Sequence, residues 1–267
     1  MYMPCEHVEV KLTDCVGTVI LNRPDHGNAL TRRMVRQLVE GIDDLYREKR
    51  VRAIILTGAG DDFCTGIDLE EINDACAMQP EWSDSQERWG EDAAEFRDLI
   101  SRMLETPKPI IAAVNGAALS HGAGLALACD IVVACEECLF GLPDPRRGLV
   151  AGIVAPLLCH RLGTGHASRL LLTATIIDAI EATRLGIFHE LVDGDKVWAR
   201  AVELARECAE GAPEAVQLTK RLLNETIGEQ LDSHLTAGAI LQATSFTTEA
   251  AEEGIAAFLE ERKPDWK

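Results

Sequence analysis

Aromatic side chains are scarce in this chain, with four Trp, two Tyr and six Phe among 267 residues. Since 47% of the residues are hydrophobic, the interior must be packed from Ala, Val, Leu and Ile. That suits an α/β core forming one large domain, or a domain followed by a smaller C-terminal one. Basic residues are scarce as well: 26 Lys and Arg stand against 44 Asp and Glu, a net charge of −18. Such a deficit excludes a nucleic-acid footprint. An anionic ligand would have to be gripped locally, by helix N-termini or a few side chains. The N-terminal MYMPCEHVEV lacks the basic-then-apolar pattern of a leader, and the nine cysteines are odd in number and scattered. Both features lead us to expect a reduced, cytoplasmic protein. Cys135 and Cys138 form a lone CxxC, which without a second pair reads as two buried thiols. Histidine spacing offers no HExxH, and no metal site is expected. There is no GxxxxGK[ST], and no third glycine at dinucleotide-binding spacing after Gly58 or Gly122. No GxSxG elbow accompanies the esterase-like His121-Gly122-Ala123-Gly124, so a serine hydrolase is poorly supported. Ser120 and His121 are neighbours along the chain and are not expected to face each other.

What the sequence does contain is an uncharged run of twenty residues from Ile110 to Cys129. Its length suits a membrane span, but Asn115, Ser120, His121 and several glycines break it in the middle. It reads better as a buried strand (Ile110–Val114), a glycine-rich turn, and a helix from His121 or Gly122 to about Ala128. A similar unit precedes it, with strand Ala53–Thr57 and turn Phe63–Leu69 leading into a short helix. In a parallel sheet both turns fall at the carboxyl ends of strands, the usual ligand side. Two backbone N–H groups converging there suit a developing oxyanion, where one donor is worth about 3 kcal/mol of transition-state stabilisation. Around these units the pattern predicts a hairpin (Val8–Leu12, Val16–Asn22) and helices over Thr31–Lys49 and Glu91–Glu105. It also predicts strands Ile131–Ala134, Leu139–Leu142 and Phe188–Val192, with a mostly helical remainder from Gly152. Pro213 starts one of those helices, and Glu249–Arg262 forms another. Residues 74–90, polar and aperiodic, are expected to be a mobile surface insertion.

Several segments occur in a telling order: Leu21-Asn22-Arg23-Pro24 with Asn28-Ala29-Leu30, Ile54-Ile55-Leu56-Thr57-Gly58, and Phe63-Cys64-Thr65-Gly66-Ile67-Asp68-Leu69. Lys108–Gly116, Cys129-Asp130-Ile131 and Phe258–Pro264 follow. Together they resemble the crotonase superfamily, the enoyl-CoA hydratase/isomerase family, over essentially the whole chain from about residue 6. The resemblance implies an α/β, crotonase-like spiral of ββα units with a C-terminal helical region. It implies a core domain over 1–200 carrying the acyl-CoA site, and a trimerisation region over 201–267 that builds homotrimers or dimers of trimers. It further implies a CoA-thioester substrate with no other cofactor, and an oxyanion hole made by the N–H groups of Ile67 and His121.

Hydratases of the family use two glutamates. The first falls on Gly124, which has no side chain, and the second falls on Asp144. Isomerases that move a double bond need only the second, so Asp144 is expected to be the sole acid/base and isomerisation is favoured. Its pKa must then be raised by apolar surroundings, and its side chain reaches about 1.5 Å less than a glutamate's. An aspartate between two prolines also caps turns. Arg146 and Arg147 stand beside it to hold it ionised, to bind phosphate or to meet another subunit. The further aspartate of dienoyl-CoA isomerases is replaced by Gly152. Asp25-His26-Gly27 gives up a lysine common near the nucleotide. Substrate or CoA contacts are expected from Arg23, Gly27, Thr65, Gly66, Asp68, Leu69, Gly122, Gly124, Pro143, Phe258 and Lys263. The other readings are a hydratase, hydrolase or lyase that uses a water, and a catalytically silent acyl-CoA-binding member.

Overall fold

The computed structural model describes residues 7–78, 82–227 and 230–266. Strands β1 (Val8–Thr13) and β2 (Val16–Leu21) form the expected antiparallel hairpin, with Val8 opposite Leu21. Helix α1 (Arg32–Arg47) begins where the Thr31 hydroxyl accepts the Met34 N–H, and it buries Met34, Leu38, Ile42 and Leu45 on one face. Then come β3 (Ala53–Gly58), α2 (Leu69–Met78), α3 (Trp82–Glu105), β4 (Ile110–Val114) and β5 (Ala118–Leu119). They are followed by α4 (His121–Ala128), β6 (Ile131–Cys135), β7 (Leu139–Gly141), α5 (Val154–Thr173) and β8 (Ile176–Asp178). The remaining elements are α6 (Ala179–Arg184), β9 (Glu190–Val192), α7 (Val197–Glu210), α8 (Pro213–Arg221), α9 (Leu231–Ser245) and α10 (Glu249–Leu259).

Six strands form one sheet in the order β1-β2-β3-β4-β6-β9, parallel throughout except for the hairpin. All of β4, and all but the last residue of β3, are buried, as a parallel sheet covered by helices requires. A smaller sheet, β5-β7-β8, pairs β5 parallel with β7 and thereby brings the start of α4 beside the end of β7. The uncharged run thus divides into β4, β5 and α4, and no helix among the described residues is long and apolar enough to cross a membrane. The boundary expected at residues 200–201 falls inside α7, which packs on β3, β4 and β6 through Val197, Ala201, Leu204 and Ala205. Gly163 kinks α5 with φ +73° and ψ 162°.

One expectation is corrected. Residues 74–90 are not an irregular insertion: α2 runs to Met78 and α3 starts at Trp82, with 79–81 outside the described residues. Trp89, Ala93, Phe96, Ile100 and Met103 recur at helical spacing and are all buried. The polar residues just before Trp89 hide the first turn of that stripe.

α8 is fastened to the sheet by a buried cation. The Lys220 ammonium, 6% exposed, donates to the Met103 and Lys108 carbonyls at 3.1 and 3.2 Å and pairs with Asp130 Oδ2 at 2.8 Å. That same Asp130 oxygen accepts the Ile110 N–H at the start of β4. Lys220→Ala strands a partly buried carboxylate and two carbonyls, and we expect it to destabilise the fold by about 3 kcal/mol. Urea unfolding checks this; a loss below about 1 kcal/mol would show the clamp to be dispensable.

Candidate active site

The two turns at the ends of β3 and β4 are stitched together. Asn115 accepts the Gly58 N–H on Oδ1 and donates to the Gly60 carbonyl, while Asn28 donates to the carbonyls of Ala59 and Asp62. Cys64 then runs alongside β5, donating to the Ala117 carbonyl and accepting from the Leu119 N–H, both at 2.9 Å. On its other side Leu30 donates to the Gly66 carbonyl at 2.7 Å and accepts the Asp68 N–H at 3.0 Å. These bonds leave the Ile67 N–H outside both ladders. Two glycines permit the close approach. A Cβ on Gly66 (φ +115°) would lie 2.7 Å from the Ser120 Cβ, and one on Gly122 would lie 2.1 Å from the Cys64 carbonyl oxygen. α2 follows at once, with Asp68 Oδ1 accepting the Glu71 N–H and Leu69 buried.

The second turn ends in a strained residue. Ser120 has φ +50° and ψ −120°, a conformation rare for any residue with a Cβ. Its N–H pairs with the Gly141 carbonyl, and its hydroxyl does not cap α4 but turns to Asp144. Among the described residues the His121 N–H, first in the fully buried α4, has no hydrogen-bond acceptor. Both N–H groups named from the sequence are therefore free, on turns in van der Waals contact.

Asp144 opens a short 3-10 turn, Asp144–Arg147, just after β7 and the buried Pro143. It is 3% exposed. Ser120 donates its hydroxyl proton to Asp144 Oδ1 at 2.6 Å, and Oδ2 is buried without a hydrogen-bond partner. The side chain is thus not occupied in capping its own turn. Burial pushes its pKa up, against the opposing pull of the Ser120 hydrogen bond, of its own backbone N–H and of the Arg147 charge. Arg147 lies 4.2 Å over the Phe258 ring on α10, and Arg146 reaches the Thr173 carbonyl.

Gly124 stands one turn into α4, where a Cβ would meet Val154 Cγ2 at 2.9 Å and Phe96 Cζ at 3.3 Å. Apolar groups occupy the place of the first family glutamate. Beside the two turns lies a pocket whose lining includes Ile67 and His121, with Leu30, Trp89, Phe96 and Phe246 as apolar wall. Trp89 stacks on Phe246 at 5.3 Å, and Arg32 at the rim is held by Asp92 and Glu71. Trp89 was hidden by the polar stretch before it, and Gln242 and Phe246 carry no motif; only their one-turn spacing at the end of α9, where Phe246 is the C-cap, hints at a shared face.

Six of the expected CoA contacts fall into three pairs. Gly27 and Thr65 touch, with the Thr65 hydroxyl donating to the Gly27 carbonyl at 3.1 Å. Arg23 and Asp68 are paired with each other at 2.8 Å, and Arg23 also holds the Ala29 carbonyl, so its guanidinium is already occupied. Phe258 is half exposed and Lys263 exposed, and neither lines the pocket.

The His121 ring corrects another expectation. Its Nδ1 lies 3.3 Å from the Ser120 hydroxyl, because the unusual backbone of Ser120 swings that side chain toward the following residue. The ring packs on Phe96 with centroids 4.3 Å apart, and its Nε2 meets Gln242 at 3.0 Å. Burial pushes its pKa down to about 4.

Comparison with known proteins identifies the family. The Enoyl-CoA hydratase/isomerase profile matches residues 12–267. A Thermus thermophilus protein named as an enoyl-CoA hydratase is 37% identical over 249 residues, 93% of this chain and 96% of its own. The 1,2-epoxyphenylacetyl-CoA isomerase of Escherichia coli is 32% identical over 253 residues, 94% of each chain. A crystal structure of an enoyl-CoA hydratase from Mycobacterium avium subsp. paratuberculosis K-10 superposes with TM-score 0.86 at 26% identity, covering 99% of this chain and 100% of that one. The chain belongs to the enoyl-CoA hydratase/isomerase family and has the crotonase fold. It is an enzyme of the hydratase/isomerase type.

The buried imidazole has a consequence for stability. Unfolded, it takes a proton near 6.5; folded, only near about 4. Its contribution is fully present above pH 6.5 and is lost as pH falls from 6.5 to about 4, by up to about 3 kcal/mol. Urea unfolding of wild type against His121→Phe should show a stability difference that moves against wild type across that window. A difference independent of pH would show that His121 is not held neutral.

Proposed function

We propose that this enzyme isomerises enoyl-CoA thioesters, moving the double bond from C3–C4 to C2–C3. The observation that carries the reading is the buried carboxylate of Asp144, with Oδ2 without a hydrogen-bond partner, in a chain whose Gly124 side-chain space is filled by Phe96 and Val154. The N–H groups of Ile67 and His121 hold the thioester oxygen as it gains charge. Asp144 takes a proton from C2 to leave a dienolate, then returns it to C4, so one group serves both steps. Its raised pKa suits the exchange, because a carboxylate at its ordinary pKa is a weak base toward carbon. The apolar wall of Trp89, Phe96 and Phe246 receives the acyl chain. Of the cations expected at the CoA, Lys263 is exposed and available, whereas Arg23 shapes the loop around Asp68.

Hydration is the second reading, favoured by the name of the Thermus relative and by one carboxylate. Glu95 lines the pocket, and its Oε2 is buried without a hydrogen-bond partner while Oε1 pairs with Arg36. It is a group able to position a water. Assembly into trimers is also part of the proposal. It rests on exposed Leu218, Leu222, Leu223, Ile240 and Leu241 in the expected trimerisation region.

Purified protein should equilibrate 3-enoyl- and 2-enoyl-CoA, and Asp144→Asn should lower that rate by about 10²- to 10⁴-fold while leaving CoA binding intact. Chromatography of the thioesters decides the matter. Formation of 3-hydroxyacyl-CoA, lost in Glu95→Gln, would replace isomerisation by hydration. Binding without turnover would leave a silent acyl-CoA-binding member.

A further inference from the structure

Three side chains tie Asp144 to α9, and each link has only one possible direction. Gln242, 3% exposed, accepts the Ile153 N–H on Oε1 at 3.5 Å, which turns its amide nitrogen toward His121 Nε2 at 3.0 Å. An amide NH₂ only donates, so Nε2 must be the lone-pair nitrogen and the single proton of a neutral ring must sit on Nδ1. That Nδ1–H faces the Ser120 hydroxyl oxygen at 3.3 Å. Ser120 in turn gives its one proton to Asp144 Oδ1 at 2.6 Å. Donation runs from Gln242 through His121 and Ser120 to the carboxylate, and all four groups are buried.

We propose that Ser120, His121 and Gln242 are positioning residues for Asp144. They form a one-way hydrogen-bond chain that fixes the carboxylate by Oδ1 and leaves Oδ2 to move the substrate proton. The inference rests on the acid/base role proposed for Asp144. The chain needs no rearrangement during turnover: when Oδ2 takes the proton, Oδ1 is still an acceptor and Ser120 still donates to it. A carboxylate held this way presents the same lone pair to C2 and to C4, which offsets its shortness. The strained backbone of Ser120 also acquires a reason, because it aims the hydroxyl at Asp144 rather than at the first turn of α4.

The groups around Asp144 are few enough for a clean reading. Its own turn brings Arg147, which favours the ionised form. α4 brings the neutral His121. α10 presents Ala250, Ala251 and Gly254 to this turn, and the end of α5 presents the Thr173 carbonyl to Arg146.

Ser120→Ala removes the chain's hydrogen bond to the ionised carboxylate. Ser120→Gly does the same in a residue at ease at φ +50°, so folding is preserved. For both we expect the acid limb of the kcat/KM profile to move up by about one pH unit, kcat to fall about tenfold, and KM to stay within about twofold. His121→Leu should shift the limb the same way by less, and His121→Asn, whose amide nitrogen takes the place of Nδ1–H, should restore it. An unmoved acid limb in both Ser120 variants, or a change confined to KM, would overturn the proposal. If wild type proves inactive on enoyl-CoA thioesters, the isomerase reading fails separately. The chain is then tested by ¹³C-aspartate NMR of the free protein. There Ser120→Gly must still raise the Asp144 titration midpoint, and an unchanged midpoint sinks the proposal.

Discussion

The structure turns on how closely two backbone turns can approach. Cys64–Gly66 lies against Ala117–Ser120 through paired hydrogen bonds, and the contact is possible because Gly66 and Gly122 present no Cβ to the opposing chain. Once the turns are sealed together, their leftover N–H groups have nowhere else to go. Backbone donors fixed in this way cost nothing to reorient during a reaction, which is why they outperform water at stabilising a new negative charge. The parallel sheet exists, in this sense, to deliver two strand ends to one place.

Burial then decides what the side chains around that place can do. Asp144 and His121 are both enclosed, and enclosure moves them in opposite directions: the acid becomes harder to ionise and the base harder to protonate. Each is neutral more readily than it would be in water. Their connection through Ser120 keeps this from being a plain desolvation cost, since buried polar atoms that are hydrogen-bonded are far less unfavourable than orphaned ones. Oδ2 of Asp144 is left without a hydrogen-bond partner, a state it shares with Glu95 Oε2. Cys64, close by, is pushed up to about 12 by the same burial, so it stays a thiol and takes no part.

Much of this was legible in the residues. The hairpin, the helix starting near Thr31, the strand–turn–helix of the uncharged run, and Gly124 at the place of the first family glutamate all follow from local pattern or from ordered family motifs. What stayed hidden has physical causes. Trp89 belongs to a helical stripe whose opening turn is polar. β5 and β8 are two and three residues long, below the length at which alternation can be recognised. Ser120 and His121 seemed unable to meet because adjacent side chains normally diverge, and no propensity announces the positive φ that brings them together. Gln242 reaches His121 across 121 positions, a separation at which sequence pattern carries no signal.

That separation also dates the active centre within the life of the molecule. Ile67 and Leu69 share a small apolar cluster with Ala251 and Ile255, and α10 rests on the turn that carries Asp144. The hairpin and the first strands can pair among themselves early, whereas contacts of such long range form only after large loops have closed. The turns at Ile67 and Asp144 therefore complete their packing only when residues beyond 240 are in place.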